Sequence, residues 1–167
     1  MTEAGMDQEI DASATRFLAL CRQRGWTLAT AESCTGGLVS GALTGIAGSS
    51  DVVDRAFVTY SNAAKMAVLG VSAATLGAHG AVSAETAREM VAGLLKVAGT
   101  GLGVSVTGIA GPGGGSAEKP VGLVHFAAAT RDGDLIERRE VFAGQDRAGV
   151  RRLSVLTALA MLEQLAR

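Results

Sequence analysis

The apolar positions of this chain switch between helical spacing and the short continuous runs that buried strands show. Over residues 7–24, Ile10, Phe17 and Cys21 recur at helical spacing, which predicts an amphipathic helix that ends at Gly25. Further helices are predicted from residue 38, at 62–69, at 72–79, at 83–97 after the N-cap Ser83, and at 147–166. Strands are predicted at 26–30, 55–60, 103–107, 121–130 and 135–142.

The alternation of strands and helices predicts an α/β fold with helices on both faces of a mostly parallel sheet. The last two strands flank an Asp-Gly pair at 132–133, which is a hairpin signal, so one strand must run antiparallel. We therefore expect a three-layer α/β/α architecture with a mixed sheet of about five strands. Residues 1–6 are expected to be a flexible tail, and residues 7–167 a single domain.

Composition narrows the class of protein. The chain has 167 residues, of which 48% are hydrophobic and 19% charged, as in a globular domain. A net charge of −1 leaves no basic excess for a nucleic-acid backbone, so no nucleic-acid partner is expected. The three long uncharged stretches are rich in glycine, so no membrane span is expected either. Two cysteines without a C-x-x-C pair and an acidic N-terminus without an apolar signal region predict a reduced, cytoplasmic protein.

A tight turn between a predicted strand and a predicted helix contains Ser33. The turn amides are expected to be helix-start donors that can hold an oxyanion or a phosphate. These amides belong to Cys34, Thr35, Gly36 and Gly37. Two interpretations of Ser33 stay open, because a serine in this position is either a nucleophile or simply the N-cap of the helix.

Lys65 is the only charged residue between Arg55 and Glu85. A lysine that is isolated in an apolar stretch can be desolvated, which lowers its pKa and makes it a usable base. Tyr60, the sole tyrosine, precedes it by five residues. Serine and lysine with a nearby tyrosine form a known nucleophile-and-base combination. The alternative is a lysine that extends to the surface and a tyrosine that only packs.

The Gly-rich segment 108–120 has neither the ending of a Walker loop nor the helix that follows a dinucleotide fingerprint. It is either a flexible connector or the backbone lining of a phosphate or ribose pocket. On the last predicted helix, Arg147 and Arg151 share a face that is either solvated or in contact with an anion. His79 and His125 lack partners at metal-ligand spacing, so no metal site and no cofactor are expected.

Six sequence blocks occur in an order that resembles the CinA C-terminal domain family, the nicotinamide-nucleotide amidohydrolases. They are TAESCTGG at 30–37, GSS at 48–50, VTYSN at 58–62 with Lys65, GAVS at 80–83, VTGIAGP at 106–112 and KPVG at 119–122. The resemblance covers about residues 8–165. It implies a three-layer α/β/α fold with a mixed sheet, in agreement with the predicted element order.

The resemblance also implies hydrolysis of the carboxamide of nicotinamide mononucleotide to nicotinate mononucleotide and ammonia, in pyridine nucleotide salvage. Ser33 would be the nucleophile, and Tyr60 and Lys65 its activating partners. The pocket would be lined by the turn residues 34–37 and by Thr107, Gly108, Gly111, Gly113, Gly114 and Arg147. The expected partner is a small nucleotide, and a homodimer is left open. Two alternatives remain: a non-catalytic nucleotide-binding or regulatory module linked to competence or DNA damage, and an amidase for another small amide.

Overall fold

A computed structural model of the chain describes residues 3–167 and has a five-stranded mixed sheet at its centre. The strands are β1 (Leu28–Glu32), β2 (Val53–Val58), β3 (Leu102–Gly108), β4 (Leu123–Thr130) and β5 (Leu135–Val141). Their order across the sheet is β2-β1-β3-β4-β5. β1 pairs in parallel with β2 and β3, whereas β4 pairs antiparallel with both β3 and β5. Only β4 therefore runs against the other four strands, which confirms the mixed, mostly parallel sheet.

Helices cover both faces of this sheet. They are α1 (Glu3–Arg24), α2 (Leu38–Thr44), α3 (Asn62–Leu69), α4 (Ala73–His79), α5 (Ala84–Ala98) and α6 (Arg147–Leu165), with a short 3-10 turn at Ser49–Asp51. α1, α2 and α6 pack together on one face, and α5 packs on the other face with α3 and α4 against it. The three-layer architecture is confirmed. Within residues 3–167, no helix combines the length and apolar character that crossing a membrane requires.

The pleat of β1 decides which layer each of its side chains meets. Leu28 belongs to the apolar core beneath α1 and α6, whereas Ala29 and Ala31 belong to the core beneath α5. Successive side chains of a strand point to opposite faces, so Glu32 follows Leu28 toward the α2 side. Ser33, the next residue, is thereby directed to the layer that contains α3.

Several boundaries differ from the prediction, and β2 begins and ends two residues earlier than the predicted 55–60. α1 begins at Glu3 rather than at residue 7, so residues 3–6 are helical; residues 1 and 2 of the predicted tail lie outside the described residues. β1 spans Leu28–Glu32 rather than 26–30. The strand extends to the charged residue Glu32 because backbone amides donate hydrogen bonds to its buried carboxylate. The pattern of hydrophobic positions does not reveal these donors.

Candidate active site

Ser33 directly follows the carboxyl end of β1 and lies between the chain segments at the ends of the neighbouring strands β2 and β3. The Ser33 amide donates to the Val106 carbonyl of β3 at 2.9 Å, and the Thr59 amide donates to the Glu32 carbonyl at 2.9 Å. These two bonds extend the sheet by one residue on each side of β1 and fix the backbone at Ser33. Ligands in open α/β sheets bind at this edge, so the predicted nucleophile lies where the fold favours a site.

Lys65 meets Ser33 across 32 positions of sequence. Its side chain is 1% exposed, although it is a lysine, because α3 turns the side chains of Lys65 and Leu69 inward together. The Nζ atom donates to Ser33 Oγ at 3.0 Å and to the Thr59 carbonyl at 2.7 Å. Burial holds the pKa of Lys65 below its ordinary value of 10.5, because the ammonium loses its hydration. The surface interpretation of Lys65 is wrong.

Glu32 is a site residue that the sequence reasoning missed. Its side chain is completely buried, and its carboxylate accepts hydrogen bonds from Gly37 N at 2.9 Å, Val39 N at 3.1 Å and Ser40 N at 2.9 Å. The Thr30 hydroxyl adds a fourth bond at 3.1 Å. A carboxylate at a helix N-terminus is favourable, since it satisfies orphan amides and complements the helix dipole. Glu32 therefore ties the start of α2 to the residue that precedes Ser33.

This cap corrects the prediction for the turn amides. The N-cap position of α2 is Gly37, four residues beyond Ser33, so the interpretation of Ser33 as the N-cap is wrong. The Gly37 amide is taken by Glu32, and the Gly36 amide donates to the Ser33 carbonyl at 3.0 Å. The amides of Cys34 and Thr35 have no acceptor within residues 3–167. Only these two of the four predicted donors are left for an oxyanion.

A cavity of about 280 Å³ opens beside Ser33 and collects most of the predicted site residues. Those that line it are Ser33, Cys34, Tyr60, Lys65, Thr107, Gly108, Gly111, Gly113, Gly114 and Arg147. Thr35, Gly36 and Gly37 do not line it. Ala81 and Val82, which were not predicted, do; the Ala81 carbonyl accepts the Thr107 hydroxyl at 2.7 Å. The only sequence signal for this pair is its position within the GAVS block at 80–83.

Tyr60 and Arg147 form a separate pair at the mouth of the cavity. Arg147 Nη2 donates to the Tyr60 hydroxyl oxygen at 3.1 Å, and its Nη1 donates to the Gly111 carbonyl at 2.8 Å. Tyr60 is 60% exposed, and within the described chain its hydroxyl has no hydrogen bond to Ser33 or Lys65. The structure brings Ser33 and Lys65 into contact, but it does not bring the Tyr60 hydroxyl to either of them.

The charged side chains that line the cavity are Lys65 and Arg147, with no carboxylate among the lining residues. Cys34 adds a thiol, but burial raises its pKa to about 12, so it is protonated at neutral pH. Within residues 3–167, no group of three or more His, Cys, Asp or Glu side chains could hold a metal ion. The residues that face the cavity therefore provide three hydroxyls, a thiol, an amine, backbone amides and one guanidinium.

Comparison with known proteins adds independent findings. A sequence model described as the CinA C-terminal domain matches residues 10–166. The chain is 54% identical over 158 residues to the "Nicotinamide-nucleotide amidohydrolase PncC" of Escherichia coli K12, covering 95% of both chains. It is 47% identical over 158 residues to a "Putative competence-damage inducible protein" of Caldanaerobacter subterraneus, covering 95% of this chain and 37% of that protein. It also resembles the crystal structure of a competence/damage inducible protein from Agrobacterium tumefaciens, with a TM-score of 0.94 and 50% identity over 95% of this chain and 96% of that one.

These matches confirm the resemblance seen in the sequence blocks. The chain belongs to the CinA C-terminal domain family.

Proposed function

We propose that this chain hydrolyses the carboxamide of nicotinamide mononucleotide, releasing ammonia and nicotinate mononucleotide. The observation that carries the proposal is the buried contact of 3.0 Å between Lys65 Nζ and Ser33 Oγ. The name of relatives that match 95% of the chain, nicotinamide-nucleotide amidohydrolase, supports the substrate class. Such a reaction returns the pyridine ring to nucleotide synthesis as the acid, which is a salvage role.

Lys65 acts as the general base in this proposal. In its neutral form, the amine donates one hydrogen to the Thr59 carbonyl and turns its lone pair toward Ser33. The 3.0 Å separation from Ser33 Oγ is within the range for proton transfer. The lowered pKa of Lys65 increases the neutral fraction at working pH, because burial disfavours the ammonium. Ser33 Oγ then attacks the carboxamide carbon as its proton passes to Nζ.

The turn after Ser33 supplies an oxyanion donor. The Cys34 amide has no acceptor in the part of the chain that is described, and Cys34 is the residue of this turn after Ser33 that lines the cavity. A fixed amide beside the developing oxygen charge stabilises the transition state of acyl transfer, and losing one donor costs about 3–4 kcal/mol in other hydrolases. The amides of Gly37, Val39 and Ser40 donate to Glu32, so they are not available to an oxyanion.

The proton taken by Lys65 goes to the leaving nitrogen. As the tetrahedral intermediate collapses, the C–N bond breaks and the lysine ammonium protonates the departing NH₂ group, which leaves as ammonia. Water then attacks the ester to Ser33 and gives one proton to Lys65. As the C–Oγ bond breaks, Lys65 returns that proton to Ser33 Oγ, and the carboxylic acid product loses its remaining proton to solvent. Lys65 ends the cycle neutral, and water is the only other reactant consumed.

Tyr60 and Arg147 take a binding role in this proposal, whereas the family resemblance implies that Tyr60 is an activating partner of Ser33. Arg147 donates to the Tyr60 oxygen, so the phenolic O–H is left to donate toward the cavity. The 60% exposure of Tyr60 suits a side chain that contacts substrate at the cavity mouth. We propose that this pair orients the nucleotide while Lys65 alone activates Ser33.

Ammonia release measured with three substrates tests the proposal. We expect turnover of nicotinamide mononucleotide, weaker turnover of nicotinamide riboside and the weakest turnover of nicotinamide. Equal kcat/KM for all three would indicate an amidase of broader specificity. Binding of the mononucleotide with no ammonia release would contradict the proposal and favour a nucleotide-binding module.

A further inference from the structure

A second cavity lies next to the one that contains Ser33. Its volume is about 630 Å³, and it shares Ala110 and Arg147 with the Ser33 cavity. The Ser33 cavity, at about 280 Å³, lies just below the range of about 300–1,000 Å³ typical of small-molecule sites. A pyridine ring with its carboxamide suits the smaller cavity, and the rest of a mononucleotide needs further space.

Two arginines line the second cavity from consecutive turns of α6. Arg147 and Arg151 are four residues apart, which brings side chains to the same face of a helix. Arg151 Nη2 donates to the Thr35 carbonyl at 2.8 Å, while its Nε is buried without a partner in residues 3–167. The one carboxylate in the lining, Asp146, accepts from Gly149 N at 2.7 Å as the N-cap of α6. The lining therefore carries two cations against one engaged carboxylate.

We propose that this second cavity is the subsite for the phosphate of the nucleotide, and that Arg151 is a specificity-determining residue. The proposal rests on the proposed function and adds where the anionic end of the substrate lies. The carboxamide and the phosphate occupy opposite ends of a mononucleotide, so a carboxamide at Ser33 directs the phosphate outward past Arg147. Arg151 has guanidinium hydrogens beyond the one given to Thr35, and guanidinium is the group best suited to phosphate oxygens.

Kinetics of Arg151→Gln with two substrates test the subsite. We expect kcat/KM for nicotinamide mononucleotide to fall by about 10- to 100-fold, mainly through KM, since hydrogen bonds to charged groups carry such effects. We expect kcat/KM for nicotinamide riboside, which has no phosphate, to stay within about twofold. Arg152→Gln is the matched control, because Arg152 neighbours Arg151 but pairs with Asp7, and both substrates should be unaffected. Equal losses for both substrates would overturn the proposal, since Arg151 would then only position Thr35.

A second variant avoids disturbing the bond between Arg151 and Thr35. Ala148 is exposed and lines the same cavity, so Ala148→Glu adds a negative charge to its wall. We expect the same selective loss with the mononucleotide, and an unchanged ratio of the two substrates would contradict the subsite. Inorganic phosphate provides a test without turnover: it should raise the Tm of the wild type and not that of either variant. If phosphate acts in this way but no ammonia is released, the proposed function fails and the subsite stands; a phosphate effect equal in all three proteins would overturn the subsite.

Discussion

Replacing Lys65 with methionine removes the proposed base while keeping an unbranched side chain of similar length in the same buried space. The variant loses the amine that lies 3.0 Å from Ser33 Oγ and 2.7 Å from the Thr59 carbonyl. General-base catalysis contributes about 10²- to 10⁴-fold, which corresponds to about 3–5 kcal/mol of activation free energy. We therefore expect kcat for ammonia release from nicotinamide mononucleotide to fall by that factor.

Lys65→Arg should fail as badly, because a guanidinium stays protonated and cannot accept the serine proton. The wild-type kcat/KM should rise with pH along its acidic limb as Lys65 loses its proton, with a midpoint below 10.5, and this limb should disappear in both variants. Lys96→Met, a change at an exposed lysine near the end of α5, is the control and should keep full activity. Substantial turnover by the arginine variant would refute the assignment of Lys65 as the base.

Lys65→Met also changes how the free energy of unfolding depends on pH, and the burial of Lys65 decides the direction of this change. The folded state lowers the pKa of Lys65, so the unfolded chain binds more protons between the folded pKa and the ordinary value of 10.5. The free energy of unfolding of the wild type therefore falls as pH falls through that window. Lys65→Met has no such group, so the stability of the variant relative to the wild type should increase as pH decreases. Denaturant unfolding at several pH values measures this difference, and an opposite slope would contradict a desolvated Lys65.

Three further predictions concern the frame of the site. Glu32→Gln places a side-chain NH₂ group against backbone N–H groups that now donate to the carboxylate, so both Tm and kcat should fall. A variant with wild-type kcat would exclude the role of Glu32 in positioning the turn after Ser33. Gly93→Ala should destabilise the fold by several kcal/mol, since a Cβ there would lie 1.7 Å from the Leu69 carbonyl oxygen; Gly41→Ala, also helical but with nothing within 4 Å, should stabilise it by about 0.5–1 kcal/mol. Thermal unfolding distinguishes the two glycine variants, and a similar Tm for both would contradict the close packing of α5. Cys34→Ala should keep activity within a few-fold, because a thiol with a pKa of about 12 is no nucleophile at neutral pH; an inactive but folded variant would assign Cys34 a chemical role.

Much of the fold could be predicted because local signals agree with the tertiary structure. The segment 62–69 was predicted as a helix and forms α3 with the same bounds, since Ser61 caps it and Gly70 ends it in a left-handed conformation. The Asp-Gly turn at 132–133 likewise indicated the hairpin of β4 and β5. Signals of this kind act within a few residues, so a single sequence contains them.

The contacts that build the site depend on distant residues, and spacing does not reveal them. Lys65 and Ser33 meet only because β1 and α3 are brought together at one edge of the sheet. Arg147 reaches Tyr60 across 87 positions of sequence, and spacing gives no sign of this contact. Glu32 does stand out in the sequence, because it is the only charged residue between Arg24 and Asp51. Lys65 is isolated from other charges in the same way.

Ammonia release by Ser33→Ala tests most directly whether Ser33 is the nucleophile. The substitution removes only the hydroxyl that Lys65 contacts, and Ser154→Ala, at a buried serine whose hydroxyl bonds within α6, is the matched control. We expect that Ser33→Ala releases no measurable ammonia from nicotinamide mononucleotide, with an unchanged far-ultraviolet circular dichroism spectrum, while Ser154→Ala remains active. A folded Ser33→Ala protein with activity within tenfold of the wild type would contradict the nucleophile and, with it, the mechanism.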